Sequence, residues 1–203
     1  RQAGAGTEPL RALTARHFLF FGAVGTAGQR CTSTRRVIMH ESIADKVRQK
    51  LLSAYKSMRI GNPLDRQTVM GPLIEKNAVD MVQHSIQRLK DEGGEVLYGG
   101  DRLEGAEYVG GSYMTPCLAN AKPGFEIVCH ETFGPLLYLL TYRDFDEAIA
   151  IGPLGIARIV GLVVAGYLAA MERDAGLPAR LLAHGVLEGR VPPPWETRPE
   201  DFP

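Results

Sequence analysis

Apolar residues recur at helical spacing in two long stretches of this chain. Ile43, Val47, Leu51, Ala54 and Met58 fall on one face of a helix, and Lys46, Lys50 and Lys56 fall on the other. That pattern predicts a surface helix opening at Ser42, with Asp45 three residues on as a near capping box. Gly61-Asn62-Pro63 is the stop signal. Glu75 to Asp91 repeats the pattern with Ala78, Val82, Ile86 and Leu89, and Gly93-Gly94 follows as a C-terminal cap. Between and around these helices lie shorter apolar runs with strand character. Thr34 to His40 carries Val37, Ile38 and Met39, Glu95 to Tyr98 is short, and Leu136 to Tyr142 is strongly apolar. Ser112 to Leu118 also reads as a strand, placed at an edge or bulge by Pro116. His17 to Gly28 reads as a helix of small and apolar residues, Asp101 to Gly111 as a glycine-bearing loop, and Asp144 as a helix start. Strands alternating with long helices predict an α/β fold, with a mostly parallel sheet flanked by helices.

Composition narrows the function classes. Twenty-three basic and 23 acidic residues give a formal net charge of zero, so nothing steers the chain to nucleic acid. Three scattered cysteines do not make a disulfide framework, and a reducing, cytoplasmic setting is expected. Cys129 and His130 lack a second ligand pair, so no metal site is expected. Residues 1–16 have no continuous apolar core. The most apolar stretch, Ile151 to Met171, is interrupted by Pro153, Arg158 and four glycines, so no membrane span is expected.

The ends differ from the middle. All six lysines lie between Lys46 and Lys122, whereas residues 151–203 hold five arginines and no lysine. Pro192-Pro193-Pro194 and Pro199 break any regular element there. The reading is therefore three segments: 1–16 outside the domain, 17–150 the domain, and 151–203 a tail. An out-of-frame or chimeric origin is expected for the tail, with a genuine lineage-specific extension as the alternative. Leu154 to Met171 is the part of the tail expected to be helical.

Chemistry concentrates at Gly22 to Arg36, GAVGTAGQRCTSTRR. Small residues lead to Cys31, and Gln29, Arg30, Thr32 and Ser33 surround it with polar groups. A core cysteine more often sits among aliphatic side chains. A guanidinium neighbour on a tight turn favours a thiolate, which can attack a carbonyl and hold the product as a thioester. A structural cysteine in a turn and a thiol hydrolase or redox-reactive cysteine are the alternatives that these residues leave open.

The segment GTAGQRCTSTRRVIMHESI resembles the catalytic-cysteine segment of the aldehyde dehydrogenase superfamily, in its antiquitin-type, alpha-aminoadipic semialdehyde branch. IGNPLD (60–65), MGPLIEK (70–76), EGGEVLYGG (92–100) and HETFGPLLY (130–138) follow in the family's order. The resemblance covers about Arg16 to Ala150 and implies a partial catalytic domain, an α/β sandwich around a mostly parallel sheet.

It further implies NAD(P)-dependent oxidation of an aldehyde, a semialdehyde in this branch, to a carboxylic acid. Cys31 would be the nucleophile, its backbone N–H an oxyanion donor, and Arg30 the reader of a distal substrate carboxylate. Glu131 would bind the nicotinamide ribose hydroxyls and Phe133 would pack beside the nicotinamide ring. The resemblance implies NAD or NADP as cofactor and a small-molecule aldehyde as partner. The family forms homo-oligomers, but its C-terminal assembly strand has no match here. The family's general-base glutamate motif, its oxyanion-hole asparagine and its nucleotide-binding domain also find no match in these 203 residues. The 203 residues alone are therefore expected to lack turnover, and the alternative is a non-catalytic remnant or interaction module that keeps the α/β core.

Overall fold

The computed structural model describes residues 19–144, 147–148, 151 and 162–165. Residues 19–24 form a helix, α1, which tightens into a 3-10 turn over Gly25–Gly28. Strand β1 (Arg36–His40) runs directly into α2 (Glu41–Lys56). Then come α3 (Lys76–Asp91), β2 (Glu95–Tyr98), β3 (Cys117–Asn120), the one-turn α4 (Glu126–Cys129), β4 (Leu136–Tyr142) and β5 (Leu162–Ala165).

The strand order is β2-β3-β4-β1-β5. β1 pairs parallel with β4 over the full run Arg36↔Tyr138 to His40↔Tyr142, and β3 pairs parallel with β4. β2–β3 is antiparallel, with a register shift between Val96 and Tyr98. The α/β class and the mostly parallel sheet thus match the expectation. β4 lies at the centre, and Leu136 to Leu140 are all buried, as a run covered on both faces requires. Helix α3 buries Val79, Val82, Ile86 and Leu89 and leaves His84 exposed. Helix α2 buries Ala44, Leu51 and Tyr55, with all three predicted lysines exposed.

Several boundaries differ from the sequence reading, each for a local reason. Helix α2 starts at Glu41, because the ring of His40 caps it: Nδ1 accepts from the Ser42 N–H at 3.2 Å. The helix stops at Lys56, well before Gly61. The helix expected over His17 to Gly28 gives way at Gly25, because Thr26, Ala27 and Gly28 take left-handed φ values of 52°, 51° and 66°. Strand β3 begins after Pro116, at Cys117, so the strand expected over Ser112 to Leu118 is displaced towards its C-terminal end. Leu162–Ala165 is a strand, where a helix was expected. The rest of the expected helix over 154–171, the segment 1–16 and the proline-rich end lie outside the described residues. The chain divides into a compact unit over residues 1–163 and a second over 164–203. Among the described residues, no helix is long and apolar enough to cross a membrane.

Candidate active site

Cys31 stands at the corner of a tight turn. The Ser33 N–H donates to the Arg30 carbonyl at 3.1 Å, and the Arg30 N–H donates to Ser33 Oγ at 3.1 Å. This reciprocal pair closes the turn around Cys31 and Thr32, both of which are exposed. The turn is anchored on the other side by Gln29, whose Oε1 accepts from the Ile74 N–H at 3.0 Å. Among the described residues, no hydrogen bond uses the Cys31 N–H.

The approach to the turn is strained. Three consecutive left-handed residues precede Gln29, and two of them, Thr26 and Ala27, carry a Cβ. Such conformations cost on the order of 1–3 kcal/mol each and persist only where surrounding contacts impose them. At Gly28 a side chain is excluded, because a Cβ there would run into the Gly134 carbonyl. The backbones of the cysteine segment and of the HETFGP segment therefore pass against each other with no room for a side chain.

Two adjacent arginines lock these segments together. Arg35 is only 2% exposed. Its Nη1 donates to the Gly28 carbonyl at 3.0 Å and to the Thr132 carbonyl at 2.6 Å. Its Nη2 donates to the Arg30 carbonyl at 2.9 Å. Its guanidinium carbon lies 4.7 Å from the centroid of the Phe133 ring, and its Nε lies 3.7 Å from Glu131 Oε1. That last separation is an ion pair but too long for a hydrogen bond. Arg36 donates from Nε to the Val128 carbonyl at 2.5 Å and from Nη2 to the His130 carbonyl at 3.0 Å. Both guanidinium groups are held below the usual arginine range, chiefly by burial. The nearby Glu131 carboxylate is the largest influence opposing that effect at Arg35.

The four residues singled out by sequence stand as follows. Cys31 and Arg30 are exposed on the turn, and Arg30 makes no ion pair with any described residue. Glu131, with a side chain 38% exposed, and Phe133, 40% exposed, both touch Arg35, which also bonds the Arg30 carbonyl. One buried guanidinium thus joins the cysteine turn to the Glu131–Phe133 segment. Sequence reasoning missed Arg35 and Arg36. The signal was present: two adjacent arginines lead directly into the apolar run Val37-Ile38-Met39, and a buried cation needs bonded partners.

The other polar groups are structural. His40 has partners that the sequence did not reveal, with Nε2 at 2.9 Å from the Arg143 carbonyl and Nδ1 at 2.8 Å from Ser42 Oγ. His130 Nε2 lies 3.2 Å from Glu126 Oε1. Cys117 is buried, and burial pushes its thiol up to about 12. Cys129 ends α4, and no group of metal-binding side chains occurs among the described residues.

Comparison with known proteins agrees with this geometry. A model of the "Aldehyde dehydrogenase family" matches residues 13–152. Aldehyde dehydrogenase family 7 member B4 of Arabidopsis thaliana is 42% identical over 139 residues, covering 68% of this chain and 26% of that protein. Alpha-aminoadipic semialdehyde dehydrogenase of Bos taurus is 42% identical over 131 residues, covering 64% and 24%. A putative aldehyde dehydrogenase from Burkholderia cenocepacia superposes with a TM-score of 0.65 at 34% identity, covering 68% of this chain and 28% of that one. A point mutant of the Staphylococcus aureus betaine aldehyde dehydrogenase in complex with NAD+ gives 0.66 at 28% identity, covering 69% and 28%. The chain thus spans about a quarter of the curated relatives it matches. On the matched residues, the motif order and the sheet, the chain belongs to the aldehyde dehydrogenase family.

Proposed function

We propose that residues 17–150 carry the nucleophile half of an NAD(P)-dependent oxidation of an acid-bearing aldehyde to a carboxylic acid. The observation that carries this reading is the single buried guanidinium of Arg35, which binds the Cys31 turn and the Glu131–Phe133 segment into one body. The Cys31 sulfur attacks the aldehyde carbon, and a thiohemiacetal forms. The negative charge on its oxygen meets the Cys31 N–H, which no described carbonyl occupies. The same sulfur later holds the oxidised acyl group as a thioester.

Bound NAD(P)+ supplies the hydride acceptor. The residues present fit its nicotinamide end. The Glu131 carboxylate is partly exposed and can accept from two hydroxyls at once. Phe133 is backed by Arg35 and keeps 40% of its surface open. The names of the curated relatives point to a semialdehyde substrate. Arg30 suits it, because its exposed guanidinium can pair a distal carboxylate in bidentate fashion.

Water must finally release the acid, and the general base of that step has no match in these 203 residues. No steady NADH production is therefore expected from them alone. The first half of the chemistry is testable without it. Succinic semialdehyde should protect Cys31 from iodoacetamide, and Arg30→Ala should weaken that protection while leaving protection by butyraldehyde unchanged. Equal protection of Cys31 and Cys129 by either aldehyde would contradict the reading.

A further inference from the structure

The Arg30 carbonyl and the Cys31 N–H belong to one peptide unit. That carbonyl receives two hydrogen bonds, from Arg35 Nη2 at 2.9 Å and from the Ser33 N–H at 3.1 Å. A trans peptide is planar, so fixing its oxygen fixes the direction of its N–H. We infer that Arg35 is a positioning residue for the oxyanion donor: it aims the Cys31 N–H by holding the far side of the same peptide plane. The inference rests on the nucleophile reading of Cys31 and adds a residue to it.

Two features make Arg35 suited to this. A planar fork can hold several carbonyls in fixed directions, which a lysine ammonium cannot. Its other branch, Nη1, is tied to Gly28 and Thr132, and its face lies against Phe133, so the fork cannot rotate with the turn. The hydrogen bond is also charge-assisted. Withdrawing density from the carbonyl strengthens the N–H on the same amide as a donor. The arginine therefore orients the donor and polarises it, without touching the substrate.

Arg35 also sits in a charge cluster. Among the described residues, Cys31, Glu131 and Arg36 are the charged or titratable groups that interact with it. Any change at Arg35 could alter the thiolate fraction of Cys31 as well as the oxyanion donor. The test has to separate the two. Iodoacetamide reads the thiolate alone, because displacement of iodide creates no oxyanion. p-Nitrophenyl acetate reads both: the thiolate attacks the ester carbon, a carbon–sulfur bond forms through a tetrahedral oxyanion, and p-nitrophenolate leaves with the electron pair of the broken carbon–oxygen bond. No oxidant or cofactor is needed.

The experiment measures both rates at Cys31 in the full 203-residue chain by peptide mass spectrometry, in wild type, Arg35→Met and Arg35→Lys. The ratio of acylation to alkylation cancels the thiolate fraction. Wild-type Cys31 should be acylated, and Arg35→Met should lower the ratio about tenfold or more, part of what loss of a whole donor costs. Arg35→Lys keeps the charge but not the fork, so its ratio should also fall. It carries the test if the methionine variant does not fold. A ratio within twofold of wild type in a folded variant would overturn the positioning role while leaving the nucleophile intact. Alkylation of wild-type Cys31 with no acylation would overturn the nucleophile reading and this inference with it.

Discussion

Two arginines in this chain each hold a loop, and they do it in opposite ways. Arg59 stands at the surface and pairs with Asp65 at 2.8 Å and with Gln67, across the loop that ends at Met70. Arg35 is buried and bonds three backbone carbonyls from two distant segments. The first pair is solvated and screened, and its side chains lose entropy to meet. The bonds to Gly28 and Thr132 are buried away from water, so losing them strands carbonyls in the interior. A loop tied by a surface carboxylate can give at little cost. A loop tied through its own carbonyls by a buried fork is held in one geometry, which is what a reacting sulfur and its oxyanion donor require.

The contact between the two tied segments offers the sharpest way to break this difference. Gly28→Ala adds a methyl against the Gly134 carbonyl at φ +66°. Overpacking and left-handed strain act together there, and a loss of roughly 4 kcal/mol is expected in urea unfolding. A neutral result would mean that the two segments are not in fixed contact.

The arginines themselves come next. Arg35→Met should destabilise by about 3 kcal/mol, because partners of a buried charged donor are left unpaired, offset by relief of the burial of the charge. Arg59→Ala should change stability by less than about 1 kcal/mol. Similar losses from both would remove the distinction between buried and surface ties.

The thiols provide a subtler pH-dependent contrast. Burial pushes Cys117 up to about 12 from its ordinary 9.0. Between those values the unfolded chain gives up the proton more readily, so unfolding gains as pH rises. The Cys117 contribution to stability is intact below pH 9 and falls above it by at most about 1.4 kcal/mol per pH unit. Cys117→Ala should flatten that alkaline decline of the melting temperature, while Cys31→Ala should leave it in place.

Much of this architecture is legible in the residues. The spacing of Val82, Ile86 and Leu89 gives α3, the unbroken apolar run of β4 gives a strand buried on both faces, and the helix–strand alternation gives the α/β class. Boundaries were less legible where a side chain outside the helix pattern decides them, as when the His40 ring caps α2 and the helix starts at Glu41, one residue before Ser42. Cys31, Arg30, Glu131 and Phe133 were singled out through motifs. Arg35 was not, because its role depends on carbonyls of Thr132 and Gly28 that carry no side-chain signature. Periodicity reports which face is buried; it does not report what a buried cation bonds once the chain closes over it.

The proposed chemistry requires Cys31 to be the reactive thiol of this chain. Iodoacetamide labelling of the folded protein near neutral pH, followed peptide by peptide in mass spectrometry, tests it most directly. Cys31 is exposed on a turn beside a buried guanidinium, Cys129 is exposed at the end of α4, and Cys117 is buried. Cys31 should label fastest, Cys129 more slowly, and Cys117 only on unfolding. Labelling of Cys129 at the same rate as Cys31, or faster, would contradict it.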